Sequence, residues 1–131
     1  IDNGDGTVTD TGTGLMWQQD AAGGGGGFDG GTGGLYNWAE AKAYCQGLSL
    51  AGYTGWRLPT TIELMSIVDY GRYGPAIDTT AFPATPSEFF WSSSPYADGA
   101  TYAWGVYFNF GKVLDGFKVN DGYVRAVRTG L

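Results

Sequence analysis

A chain of 131 residues with 13 Asp and Glu against seven Lys and Arg carries a formal net charge of −6, so its field repels nucleic acid and anionic membrane, and its scattered cations form no basic stripe. The length suits one domain, 1–131, with a core supplied in large pieces by five Trp, nine Tyr and seven Phe, while 24 Gly favour sheet and loops over long helices. A single Cys and no His exclude an intramolecular disulfide, a cysteine zinc site and a His-activated nucleophile, and no stretch approaches the roughly 20 apolar residues of a membrane-spanning helix.

The chain starts at Ile1 without Met or a signal-type segment, which suggests a processed or excised domain. Turn formers from Asp2 to Gly6 lead into Thr7-Val8-Thr9-Asp10, and a second turn at Thr11-Gly12-Thr13-Gly14 leads into Leu15-Met16-Trp17-Gln18. That pattern predicts a hairpin whose return strand buries Leu15 and Trp17. Asn3, Asp5 and Gly6 match part of a calcium loop, but an EF-hand needs an acid two residues ahead of Asn3 and a bidentate Glu near Gly12, and neither is present. A network of Asx turns is therefore expected there, with Asn3 and Asp5 as the weak metal candidates and no cofactor otherwise. Residues 21–34 are Gly-rich and predict a mobile surface loop; a phosphate cradle would need a P-loop Lys that the stretch lacks.

Asn37 is placed to cap a first helix, with Glu40 reaching back to it, and Trp38, Ala41, Cys45 and Leu48 then share one face with Tyr44 beside it. Cys45 reads as a small core hydrophobe. In Trp56-Arg57-Leu58-Pro59-Thr60, a short strand with Trp56 and Leu58 on one face ends at Pro59, and Thr60 with Glu63 forms a capping box for a second helix. Leu64, Ile67 and Val68 make that helix's apolar stripe, widened by Ile62 and Met65, and Arg57 with Glu63 reads as a structural ion pair. Residues 69–88 are irregular, anchored by Ile77 and Phe82, and a loop of that length is functional or packed by its own side chains.

Phe89-Phe90-Trp91-Ser92-Ser93-Ser94 reads as a buried strand. Alternation over 102–110 predicts Tyr102, Trp104, Val106, Phe108 and Phe110 inward and Ala103, Gly105, Tyr107 and Asn109 outward. Gly111 turns the chain, Val113-Leu114 and Phe117-Lys118-Val119 return it, Asp121-Gly122 signals a hairpin, and 123–128 is the last strand. Val124-Arg125-Ala126-Val127-Arg128 breaks strict alternation, which calls for either a bulge or a buried, paired Arg.

Together these residues resemble the DUF1566 family, the domain at the C-terminus of the Legionella collagen-like adhesin. The resemblance rests on Asn3 to Asp10, Thr13-Gly14-Leu15-Met16-Trp17, Trp38, Ala41, Tyr44-Cys45, the Trp56 to Thr60 corner with Glu63-Leu64, Phe90-Trp91-Ser92-Ser93-Ser94, Ala103-Trp104, 108–111 and 124–128, with 21–34 as a loop insertion. It implies an α+β chain of C-type lectin-like fold, related to the formylglycine-generating sulfatase-modifying enzymes, with two short helices packed beside twisted antiparallel sheets and long irregular loops. The sequence has neither the Glu-Pro-Asn or Gln-Pro-Asp triplet of calcium-dependent lectins nor a late cysteine pair of the sulfatase-modifying kind, so the resemblance implies a fold and not those two sites.

Function is then expected to be that of an extracellular, non-catalytic binding or adhesion module at a bacterial cell surface, recognising a glycan or protein ligand. The expected contact residues lie on the C-terminal hairpins: Tyr107, Asn109, Lys112, Asp115, Phe117, Lys118, Asn120 and Tyr123, which join aromatic area to polar handles. The alternative is a structural subunit or repeated domain of a bacterial surface filament, a homo-oligomer held by aromatic patches. Catalysis would have to rest on carboxylates, and no spacing among them pairs an acid with a base.

Overall fold

Short-range hydrogen bonds hold the turn that leads into the first hairpin. The computed structural model describes residues 1–19, 36–82, 85, 87–95, 102–118 and 122–129, so the expected 21–34 loop and Asn120 lie outside the described residues. Asp2 Oδ1 accepts from the Gly4 N–H at 2.9 Å, Asp5 Oδ1 from the Thr7 N–H at 3.0 Å, and Asn3 Nδ2 donates to the Thr7 and Thr9 hydroxyls at 2.9 and 2.8 Å. The Asx network is thus present, and it commits Asn3 and Asp5 to their own turn. Beyond it β1 (Thr7–Asp10) and β2 (Leu15–Gln18) pair antiparallel with Val8 opposite Trp17. The return strand buries Trp17 as expected, but Met16 and Gln18 are buried too and Leu15 only half-buried, because β2 is the central strand of its sheet and is covered on both faces.

Both helices open on the predicted capping boxes. In α1 (Trp38–Gly47) the Asn37 side chain accepts from the Glu40 N–H at 3.0 Å while Glu40 Oε1 accepts from the Asn37 N–H at 3.0 Å; Ala41 and Cys45 are buried, with Trp38, Tyr44 and Leu48 packed beside them. In α2 (Thr61–Met65) Thr60 and Glu63 make the same exchange, and Leu64 is buried with Ile67 and Val68 packed against its cluster. Ile62 and Met65 do not widen the stripe: they are 79% and 40% exposed. At about 100° per residue, Ile62 stands some 200° around the helix from Leu64, and a helix this short is covered on one side.

The second sheet orders β3 (Phe89–Pro95), β4 (Tyr102–Tyr107) and β5 (Lys112–Phe117) antiparallel. Trp91 and Ala103 pack in one cluster with Ala41 and Cys45 of α1, while Phe90, Val106 and Phe108 pack in another with Leu64 of α2. With a helix on each face, the expected division of β4 into inward and outward residues fails. Ala103 and Gly105 are buried although expected outward, Tyr102 and Trp104 are only half-buried, and Phe110 is 67% exposed because the strand ends at Tyr107 and the turn breaks its parity. A Cβ at Gly105 would run into the Phe89 ring and the Phe90 carbonyl.

The last stretch is not one hairpin strand. Tyr123 bridges Phe90 in parallel at the free edge of β3, with Trp91 N–H to Tyr123 C=O at 3.0 Å and Tyr123 N–H to Phe89 C=O at 2.9 Å. The chain then crosses to the other sheet, where β6 (Val127–Thr129) pairs with β2. Arg125 is the buried, paired arginine: Nη1 donates to the Gln18 carbonyl at 2.9 Å and to that of Gln19, Nη2 donates to Thr85 Oγ1 at 3.0 Å, and the guanidinium lies 4.6 Å from the Phe82 ring centroid.

The Trp56 corner is a single bridge rather than a strand. Arg57 and Val127 exchange backbone bonds of 2.8 and 2.9 Å, which turns Trp56 and Leu58 into one core as expected. Arg57 meets Glu63 in a two-pronged pair, Nη1 to Oε1 at 2.5 Å and Nη2 to Oε2 at 2.6 Å, and Glu63 Oε1 also accepts from the Thr60 N–H at 2.9 Å.

Three outcomes are expected. Trp56→Ala should cost about 3–5 kcal/mol by denaturant unfolding, the range for emptying a large aromatic core site; an unchanged midpoint would mean the corner carries no core. Gly105→Ala should cost about 1–3 kcal/mol through overpacking, a loss absent from a surface glycine such as Gly47. The Arg57 hydrogen bonds, and after them the Thr60 N–H, hold the Glu63 carboxyl below the usual 4.5 against the opposing effect of burial. A carboxyl lowered on folding contributes stability that is present above the unfolded value and lost as pH falls through the folded one. Glu63→Gln should therefore melt below the parent at neutral pH, with the gap closing below pH 4.5; a gap independent of pH would assign the loss to the cap geometry alone.

Candidate binding face

The contact residues expected from sequence do not share one face. In the β4–β5 register Tyr107 lies opposite Lys112, Trp104 opposite Asp115, and Tyr102 opposite Phe117. Directly opposed residues project to the same side and alternate along the strand, so Tyr107 and Lys112 stand on one face and Asp115 and Phe117 on the other. Phe117 is 44% exposed and its ring centroid is 4.5 Å from that of Tyr102. Lys118 belongs with α1: its Nζ sits 4.1 Å from the Trp38 ring centroid, which Lys42 approaches at 3.7 Å, and its carbonyl accepts from the Trp38 N–H at 3.0 Å. Tyr123 is half-buried and stacks on Phe90 at 5.6 Å, closing core.

What does come together is a seam between the turn at 108–111 and the loop at 69–76. The Gly74 N–H donates to the Asn109 carbonyl at 2.9 Å, Ala76 to Phe108 at 2.6 Å, and Asp69 to Ala76 at 2.8 Å, so backbone bonds staple the loop to the turn. Gly111 has φ 73°, and a Cβ there would stand 2.5 Å from Val68 Cγ1 and 3.6 Å from the Tyr70 ring. Only glycine allows that approach. Along this seam Tyr73 is 83% exposed, Tyr70 and Phe110 are each 67% exposed, and Phe110 stacks on Tyr107 at 6.1 Å and 18°. A depression of about 370 Å³ beside Tyr73 is lined by Arg72, Pro75, Ile77 and Thr79, and Arg72 Nε is held by Asp69 Oδ2 at 3.0 Å.

Sequence reasoning placed Tyr107 and Asn109 here and missed Tyr70, Tyr73 and Phe110. Strand alternation assigns Phe110 to the core only if it is carried past Tyr107, where the strand ends. The signal that finds the two tyrosines is their position around Gly71 and before Gly74 and Pro75, aromatic residues in a turn-rich loop with no helical or strand period to bury them.

Cys45 and the turn at Asn3 and Asp5 hold their groups in structural roles. Cys45 is buried, and burial pushes its thiol up to about 12, so it presents no thiolate at neutral pH. Among the described residues no three His, Cys, Asp or Glu side chains converge as metal ligands, and those near Asn3 and Asp5 serve the turn network described above.

No curated protein matches the chain. The family model of the Lcl C-terminal domain matches residues 6–128, from the turn before β1 into β6, and so spans both sheets, both helices and the seam. The chain therefore belongs to the Lcl C-terminal domain family, named for the C-terminal domain of the Legionella collagen-like protein, a surface-associated adhesin.

Proposed function

We propose that this domain is an extracellular, non-catalytic binding module of a bacterial surface adhesin that recognises a glycan or protein ligand through the aromatic seam of Tyr73, Tyr70, Phe110 and Tyr107 around Asn109. The observation that carries this reading is the exposure of Tyr73, Tyr70 and Phe110 on backbone already fastened by Gly74–Asn109 and Ala76–Phe108 bonds. Aromatic rings with polar neighbours are what recognition surfaces use, and a prefastened loop binds without the ordering cost of a free one. The buried Cys45 thiol and the lack of His support a non-catalytic role. A C-type lectin-like arrangement is part of the proposal, supported by the two short helices and two antiparallel sheets joined by long loops.

The filament reading draws on a different observation, the Tyr102–Phe117 pair on the far side of the same sheet. Two aromatic patches on opposite sides permit head-to-tail contact between copies. Light scattering separates the readings, since a monomer across a wide concentration range is incompatible with an obligate filament subunit.

A glycan-array and cell-surface screen, run with and without calcium, identifies the ligand. Tyr73→Ala combined with Phe110→Ala should then weaken binding at least about 30-fold, the scale of aromatic hot spots, while the melting temperature stays within about 2 °C, because neither ring is buried. Undiminished affinity in a folded double variant would move the site off the seam.

A further inference from the structure

One carboxylate sets the geometry of the depression beside Tyr73. Asp69 accepts from the Gly71 N–H through Oδ1 at 2.9 Å and from Arg72 Nε through Oδ2 at 3.0 Å, so a single side chain holds both the turn and the guanidinium. The Arg72 N–H donates to the Asp69 carbonyl at 3.1 Å and the Gly74 N–H to that of Asn109 at 2.9 Å, which leaves Tyr73 between two fastened residues. Tyr73 itself stays 83% exposed, and the lining beside it carries half-buried Pro75 and exposed Thr79. The surface is therefore preset, and its rings and donors are open to solvent.

Charge and hydrogen-bonding capacity then select the ligand. Of the residues that line the depression only Arg72 is charged, and Asp69 already balances it. An anion gains little from a balanced guanidinium and is opposed by the −6 charge of the chain, while a cation meets the guanidinium itself. Among the described residues Nε is the one guanidinium nitrogen that is hydrogen-bonded, and the Arg72 side chain is 48% exposed, so the Nη groups are open to a ligand. A guanidinium only donates, in a rigid fork, and its match here is an uncharged acceptor oxygen. The hydroxyls of Tyr73 and Thr79 both donate and accept, which suits a ligand with hydroxyls of its own. Small-ligand pockets begin at about 300 Å³, so the depression of about 370 Å³ admits one compact unit.

From these requirements we propose that the depression holds an uncharged N-acetylated sugar unit, an inference that rests on the aromatic seam as the binding surface and names its ligand class: the acetamido carbonyl accepts from the Arg72 Nη groups, the acetyl methyl lies on Pro75, and the C–H face of the ring stacks on Tyr73. An amide carbonyl is the best neutral acceptor that a sugar carries, and the methyl beside it suits an apolar wall. A proline-rich peptide also brings carbonyls and apolar rings to aromatic surface, but it needs an extended groove and offers no hydroxyls to Tyr73 and Thr79.

The test follows the Arg72 Nε–H and the Tyr73 and Thr79 amide resonances of ¹⁵N-labelled protein at slightly acidic pH as N-acetylglucosamine, glucose, glucosamine and a tetraproline peptide are added in separate titrations. N-acetylglucosamine should give saturable shifts at all three, with the other probes at least about tenfold weaker, the scale of one hydrogen bond to a charged group. Arg72→Ala should weaken N-acetylglucosamine by about tenfold and erase its advantage over glucose, while the resonances of both cores stay in place. An equal response to glucose, an equal response to glucosamine, a stronger response to tetraproline, or an advantage that survives Arg72→Ala would each overturn the proposal. The two readings fail separately. A screened ligand untouched by the Tyr73→Ala, Phe110→Ala double variant removes the seam and this proposal with it, whereas loss of that ligand with no preference for the acetamido sugar overturns this proposal alone.

Discussion

Residues 122–129 tie the two sheets into one body. Their backbone bonds to Tyr36 at Gly122, to β3 at Tyr123, to β2 through β6, and to the Trp56 corner at Val127. In the middle of that run, Arg125 donates to the Gln18 and Gln19 carbonyls and the Thr85 hydroxyl while lying over Phe82. A buried guanidinium is costly unless it is hydrogen-bonded, and these bonds require β2, Thr85 and this closing segment to be in place together. Among the described residues each sheet has three strands, so neither could bury its aromatic residues without the other.

Burial of the β3–β4–β5 sheet on both faces decides where a partner can touch. One side takes the α1 cluster through Trp91 and Ala103, the other takes the α2 cluster through Phe90 and Val106, and Gly105 admits the Phe89 ring only because it has no Cβ. With both faces occupied, aromatic surface is left at the ends and edges of the sheet. The turn at 108–111 is such an end, and loop 69–76 broadens it with two tyrosines whose backbone is held by the turn itself.

The acidic balance of the chain is also distributed by this architecture. Asp2, Asp5, Asp10, Asp69 and Asp78 each hold a nearby backbone N–H in a turn, so much of the negative charge is committed to loop geometry before any ligand is considered. Glu63 is committed twice, to Arg57 and to the α2 cap. Groups that look available in a composition are in this sense already partnered.

Local chemistry was legible in the sequence: the two capping boxes, the Asx turns, the first hairpin, the Trp56 and Leu58 side of the corner, and the alternative that 124–128 holds a buried arginine. Each depends on residues a few positions apart, whose geometry is set by backbone sterics and short hydrogen bonds. The family was legible too, because its motifs span most of the chain. Which face of β4 meets solvent was not legible, since period-two alternation says that two faces differ and not that both are covered. Nor was the course of 123–128, whose strand-forming residues bond first to β3 and then to β2, because pairing partners far apart in sequence are chosen by packing. The binding surface depended on the same choice: Tyr107 and Phe117 share a hairpin but stand on opposite sides of it, while Tyr73 and Phe110, 37 positions apart, became neighbouring parts of one seam only when the Gly74 amide reached the Asn109 carbonyl.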